Sequence, residues 1–118
     1  MFIIPQEYLG RLPSLDSESY AGLLRILEPP SNDKKGDIPF TGHLNIIAKS
    51  ASCIGILHFI DGIINLESKN IHFDDANHSV NFAGKFSSDY KIITGQFNEQ
   101  SGFIHTETVI FNEDKDEG

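Results

Sequence analysis

Five histidines are the residues of this chain best suited to chemistry, and they are scattered along it: His43, His58, His72, His78 and His105. Imidazole ligates metals and exchanges protons near neutral pH. None of the five shows the spacing of a metal-binding motif such as H-x-H or H-E-x-x-H. Scattered histidines are ordinarily hydrogen-bonded structural residues. The sequence therefore predicts no metal site and no cofactor.

Period-two alternation places His43, His58 and His105 on one face of the predicted sheet. Imidazoles from separate strands can build a metal site, so convergence of these three would overturn that prediction. Glu107 lies two residues beyond His105 on the same face, and the pair is the best candidate for acid–base catalysis by a hydrolase or isomerase. No nucleophile elbow, P-loop or dinucleotide fingerprint accompanies it. The sequence thus favours a protein without catalytic activity.

Ligand binding is the other chemistry that side chains on or near this face could support. Arg25 could hold an anionic group. The candidate ligand-binding residues are Arg25, His43, His58, Tyr90 and Phe103. Cys53 is the only cysteine, and it is predicted to be a small buried hydrophobe because nothing local supplies a base to activate it.

Composition restricts the class of protein. A length of 118 residues predicts one domain, with residues 1–20 as a covering segment and residues 112–118 as a disordered acidic tail. The net charge of −8 argues against nucleic acid and anionic membranes and favours a basic protein partner. A single cysteine allows no intrachain disulfide and fits a reducing compartment, so we expect a cytoplasmic protein. No apolar run approaches the ~20 residues of a membrane-spanning helix.

The elements that must position these residues are strands. Residues 80–111 show the pattern most clearly, with three alternating runs separated by short polar breaks. About eight such runs follow one another along the chain, after a segment at residues 1–20 that is predicted to be irregular or helical. Short connections between sequential strands predict an all-β, antiparallel up-and-down meander.

Glycine recurs two residues before an apolar residue, as in Gly22, Gly42, Gly84 and Gly95. The alternation puts these glycines on the inward face of their strands. Glycine weakens a strand, so its repeated use there indicates sharp bending or close approach of backbones. Sharp bending is what a sheet needs to close, and the expected architecture is a closed or half-closed small barrel.

Two local signals set the predicted pairing. Asp61-Gly62 stands between apolar runs and predicts a type I′ hairpin turn. In the last hairpin, a four-residue loop would set Thr94 against His105 and keep apolar residues together.

These registers divide the side chains into two faces. The glycine face is the core and includes Leu57 and Phe59. The opposite face is mixed, because it joins the polar candidates to the apolar residues Ile54, Ile56, Ile60, Ile63, Ile92, Phe103, Val109 and Phe111. Soluble monomers seldom expose apolar patches of more than a few hundred Å². We therefore expect an oligomer, a homodimer formed through this mixed face.

Thr41-Gly-His-Leu44 and Thr94-Gly-Gln-Phe97 resemble the Gly-x-aromatic strand starts of the calycin group, which comprises lipocalins, fatty-acid-binding proteins and avidins. The resemblance covers residues 20–111 in pattern. The tryptophan typical of that position is absent, since this chain has no Trp. The resemblance implies a barrel with a ligand cavity and names no ligand.

The function that these observations favour is a non-catalytic β-barrel binding module for an apolar small ligand or a protein partner. Two alternatives stay open: a small enzyme that uses His105 and Glu107, and an acidic inhibitor, immunity or adaptor protein for a basic partner.

Overall fold

The fold is a closed, eight-stranded antiparallel barrel in which every strand pairs with its neighbours in sequence and β8 pairs with β1. The computed structural model describes residues 4–12, 20–30, 35–48, 56–76, 80–99 and 108–113. The strands are β1 Glu7–Leu12, β2 Tyr20–Leu27, β3 Asp37–Ala48, β4 Ile56–Asn65, β5 Asn70–Asp75, β6 Val80–Phe86, β7 Ile92–Glu99 and β8 Thr108–Glu113. The predicted all-β meander is confirmed, and the barrel is closed. Among the described residues there is no helix that could cross a membrane.

The N-terminal segment contains the strand β1, and the prediction of irregular or helical structure is wrong for the residues of this strand. β1 closes the barrel by pairing with β2 on one side and β8 on the other. Ahead of it, the amide of Ile26 donates to the carbonyl of Gln6 at 2.8 Å, and Ile4 is buried. At the other end of the chain, β8 extends to Glu113, so the first two residues of the expected tail belong to a strand.

The predicted turn at Asp61-Gly62 is also wrong, because β4 continues through it to Asn65. The chain reverses at residues 66–69 instead. Gly62 faces inward, where a Cβ atom would contact the carbonyl oxygen of His72 and lie 2.7 Å from the ring of Phe40. The glycine therefore serves a close approach inside the barrel rather than a turn.

The predicted β7–β8 register is displaced by five residues, since Thr94 lies opposite Ile110 rather than His105. An odd displacement exchanges the two faces of a strand. Val109 and Phe111 accordingly point into the core, and Phe111 packs edge-to-face on Phe82 with 5.6 Å between ring centroids.

Phenylalanine rings fill the middle of the barrel. Centroid distances of 4.9–6.4 Å connect Phe40, Phe73, Phe82, Phe97 and Phe111. Such separations are those of favourable aromatic pairs. The inward glycines make room for these rings: a Cβ on Gly95 would lie 2.5 Å from Cζ of Phe82, and one on Gly84 would lie 2.9 Å from the same ring. The sequence-based prediction of inward glycines is confirmed at Gly42, Gly84 and Gly95.

The two changes in pairing reassign the predicted faces. Ile60, Val109 and Phe111 were expected on the mixed face and are buried in the core. Leu57 and Phe59 were expected in the core and are exposed. Ile54, Cys53, His78 and Phe103 lie outside the described residues, as does the side chain of Ile56.

Candidate functional site

Arg25 and His43 lie opposite each other on the outer surface of β2 and β3. The Nε atom of Arg25 is 3.6 Å from a carboxylate oxygen of Glu7, and the arginine side chain is half exposed. The ring of His43 meets the ring of Phe59 edge-on, with 4.9 Å between centroids. These two candidates are thus surface residues whose side chains contact other side chains of the same chain.

His58 faces the barrel interior, where its Nδ1 atom is 3.1 Å from Oδ2 of Asp75. Asp75 is 2% exposed, and its other oxygen accepts the amide hydrogen of Val80 at 3.2 Å. A buried carboxylate needs such partners because desolvation penalises its charge. The pair fastens β4 to the end of β5, and the bond to Val80 adds the start of β6, which is a structural use of the histidine.

His43 and His58 therefore project from opposite faces of the sheet, and the expectation that they share one face is wrong. No group of three His, Cys, Asp or Glu side chains in the described parts of the chain could hold a metal ion. His105 and Glu107, the candidate acid–base pair, lie outside the described residues, as does Phe103.

Tyr90 closes the end of the barrel at which β4 turns into β5 and β6 into β7. Its hydroxyl donates to the carbonyl of Leu66 at 2.8 Å, and its own carbonyl accepts the hydroxyl hydrogen of Tyr8 at 2.6 Å. The amide of Tyr90 donates to the carbonyl of Ser87. The backbone φ of Tyr90 is 63°, which is uncommon for a bulky residue. Burial raises the pKa of the Tyr8 phenol, with a further contribution from nearby Glu113 and then Asp89.

Two clefts lined by described residues open on the outside of the barrel. One, of about 450 Å³, crosses β5, β6 and β7 and is lined by His72, Asp74, Asn81, Gln96 and Asn98, among others. The other, of about 300 Å³, lies beside Glu28, Thr41 and Asp61. Both clefts are lined by a mixture of polar and apolar groups.

Among the described residues, the largest exposed apolar side chain is Phe59. We name His43, Leu57 and Phe59 the Phe59 patch. Leu57 and Phe59 are 51% and 62% exposed on the outer side of β4, and Asn45 and His43 lie opposite them on β3. Asp61 continues the same outward row, and Asp74 lies directly opposite Asp61 on β5. The patch is therefore apolar with an acidic edge.

A second apolar area covers the seam where β8 meets β1. We name Leu9, Leu23, Ile92 and Ile110 the seam patch. Leu23 lies opposite Leu9, and Asn112 lies between Leu9 and Ile92 in the same row. Leu9, Ile92 and Ile110 are exposed and Leu23 is half-buried. β1 and β4 are three strand positions apart in the barrel, and Asn45 on β3 lies between Leu23 and Leu57.

Comparison with protein-family models and with curated proteins found no match for this chain. Any functional conclusion must therefore come from the geometry of its surfaces.

Sequence reasoning missed both Asp75 and the exposure of Phe59. Asp75 carried a usable signal, because the period of two set by buried Ile71 and Phe73 puts it on the inward face. The exposure of Phe59 was missed because the hairpin predicted at Asp61-Gly62 assigned Phe59 to the core face of the sheet.

Proposed function

We propose that this protein is a non-catalytic β-barrel module that binds a partner protein through the Phe59 patch. The observation that carries the proposal is the side-by-side exposure of Leu57 and Phe59 on an outer strand face. Large aromatic side chains are enriched at the energetic centres of protein interfaces. His43 supports the arrangement because its ring packs on one side of Phe59 and leaves another open.

The packing of the interior favours a binding surface on the outside of the barrel rather than an internal cavity for an apolar ligand. Phe73, Phe82 and Phe97 pack together within the barrel with 4.9–6.2 Å between their centroids. A ligand there would have to displace rings that already make favourable contacts. This packing favours the protein partner among the two kinds of ligand that the sequence suggested.

The charges around the patch indicate the kind of partner. Asp61 is exposed next to Phe59 along β4, and Asp74 lies opposite it. A partner with an apolar contact edged by Lys or Arg would complement this surface. The net charge of −8 would speed its approach by long-range attraction.

Site-specific photo-cross-linking in cells of the source organism tests the proposal. A benzophenone side chain is placed at Leu57 or Phe59, and at Ala83 or Gln96 as controls. The control residues are exposed on β6 and β7, two and three strand positions from β4. We expect one discrete cross-linked species from the β4 positions and none from the controls. Equal labelling at all four positions, or none at any of them, would refute a protein site at this patch.

The cross-linked partner, once purified, permits a test of the charge argument. Asp61→Asn should slow association with it and weaken the dependence of the rate on salt. Asp89→Asn is the matched control, since it removes the same charge from an exposed turn at another part of the barrel. Equal effects of the two variants would show that only net charge matters.

A further inference from the structure

We propose that two copies of this chain associate through their seam patches, related by a twofold axis that places β1 of one copy antiparallel across β1 of the other. This contact is centred on β1, three strand positions from the centre of the Phe59 patch on β4. It differs from the sequence-based expectation of a dimer, because three residues of the face invoked there, Ile60, Val109 and Phe111, are buried inside the barrel.

The outward residues of β1 form a self-complementary series. Glu7, Leu9 and Arg11 point outward in order, because Tyr8 and Gly10 between them are buried. When two such strands cross antiparallel about a twofold axis at Leu9, each Glu7 faces the partner's Arg11, and the two leucines meet. An isologous contact requires this kind of pattern, since the same surface has to match itself. A parallel crossing would set Glu7 against the partner's Glu7.

The outward strand positions of the seam also carry a small positive charge in an acidic molecule. Alternation along β1, β2, β7 and β8 gives three charged outward positions: Glu7, Arg11 and Arg25. Their sum is +1, against a net charge of −8 for the chain, and they include both of its arginines. Glu7 already lies 3.6 Å from Nε of Arg25, so in the dimer it would lie between two guanidinium groups.

The size of the surface predicts a modest affinity. Four strands of about six residues cover at most roughly 20 Å by 20 Å, or about 400 Å², because they curve around half of the closed barrel. This is near half of the ~800 Å² per partner that is typical of a stable complex. We therefore expect a dissociation constant in the micromolar range, with apolar contacts from Leu9, Leu23 and Ile110 at the centre.

Sedimentation equilibrium from about 1 to 200 μM, a span that brackets a micromolar constant, tests the dimer by charge exchange. Glu7→Arg and Arg11→Glu should each weaken association by about tenfold or more, because each sets like charges against each other twice. The double variant Glu7→Arg/Arg11→Glu should restore it to within about threefold of the wild type. Lys35→Glu changes the net charge as Arg11→Glu does, but Lys35 is an exposed residue just before the start of β3, outside the seam strands, so association should be nearly unchanged. Thermal melts confirm that each variant is folded.

A monomeric wild type over this range overturns the dimer, and so does a double variant as weak as the single ones. In the double variant, the arginine introduced at position 7 and Arg25 are like charges within one chain, so the exchange adds no favourable contact there. Recovery of association can therefore arise only from the contact between chains. Failure here leaves the partner site at Phe59 intact, because the cross-linking there does not depend on the seam.

Discussion

At the scale of single residues, Asp75 is the one charged side chain that is fully buried among the described residues. Its oxygens meet the imidazole of His58 and the amide of Val80, and it is 2% exposed. Removing one partner of such a pair leaves the other buried without its partner, which costs free energy of unfolding. Replacing both partners avoids most of this cost. The histidine is therefore best explained as the partner of the carboxylate.

His58→Ala should lower the free energy of unfolding by about 1–3 kcal/mol, because it leaves the carboxylate of Asp75 without its imidazole partner. Asp75→Asn keeps the shape and the acceptor for Val80 and should cost less. The double variant should be more stable than His58→Ala alone. Urea unfolding of the three variants measures this cycle, and strictly additive losses would show that the two side chains do not interact.

Tyr8 gives a prediction about alkaline pH. Burial raises its pKa above the ordinary value of about 10, so above that pH the unfolded chain loses its proton before the folded protein does. The stability that Tyr8 contributes is complete below pH 10 and declines as the pH rises beyond it. Tyr8→Phe loses the hydrogen bond to Tyr90 and should be less stable at pH 7 by about 1 kcal/mol. Urea unfolding at pH 7 and pH 10.5 should show that this difference narrows, and a constant difference would contradict the assignment.

At the scale of strands, inward glycines allow the sheet to coil tightly around its phenylalanine rings. Gly84 and Gly95 lie opposite each other on β6 and β7, and the ring of Phe82 covers both. A side chain at either position would have to push this ring or a neighbouring carbonyl aside. The glycines are thus part of the core rather than gaps in it.

Gly95→Ala should destabilise the protein by about 1–3 kcal/mol, because the added methyl group overlaps the carbonyl of Ala83 and the ring of Phe82. Gln96→Ala is the matched control, since its exposed side chain on the next position should change stability by less than about 0.5 kcal/mol. Chemical denaturation decides the point. Equal stabilities of the two variants would mean that the strands have room for a Cβ.

Alternation and inward glycines were readable from the sequence because both are local properties of a strand. The pairing was harder, because Asp-Gly has the same composition whether it makes a turn or, as at Gly62, serves a close approach inside a strand. β1 was hidden for another reason: its sequence, EYLGRL, contains no β-branched residue. Its strand form comes from β2 and β8, which it joins to close the barrel, and such distant partners leave no signal in six residues.

The candidate site was predictable only in part. Arg25 and His43 were placed on an outer face and are found there, because alternation in β2 and β3 was assigned correctly. Leu57 and Phe59 were assigned to the core, since the misplaced hairpin inverted the first half of β4. An error in one turn thus hid the largest exposed ring of the described residues.

At the scale of the whole molecule, the barrel separates its two apolar patches. β1 and β4 are three strand positions apart around the closed barrel, so the outward side chains of Leu9 and Phe59 face different directions. A dimer joined at the seam would leave both Phe59 patches open and present two partner sites at once. Such a dimer would bind with avidity to a partner protein of which several copies are fixed close together.

This separation predicts that the two patches are energetically independent. Leu9→Ser should abolish dimerisation in sedimentation equilibrium while leaving the yield of cross-linking from Leu57 unchanged. Phe59→Ser should do the reverse, because substitutions at distant sites without shared partners have additive effects. Both changes replace exposed side chains with polar ones, so neither should lower the melting temperature by more than about 2–4 °C. Loss of both activities in either single variant would mean that one continuous surface serves both contacts, and the division of the barrel into two binding faces would be wrong.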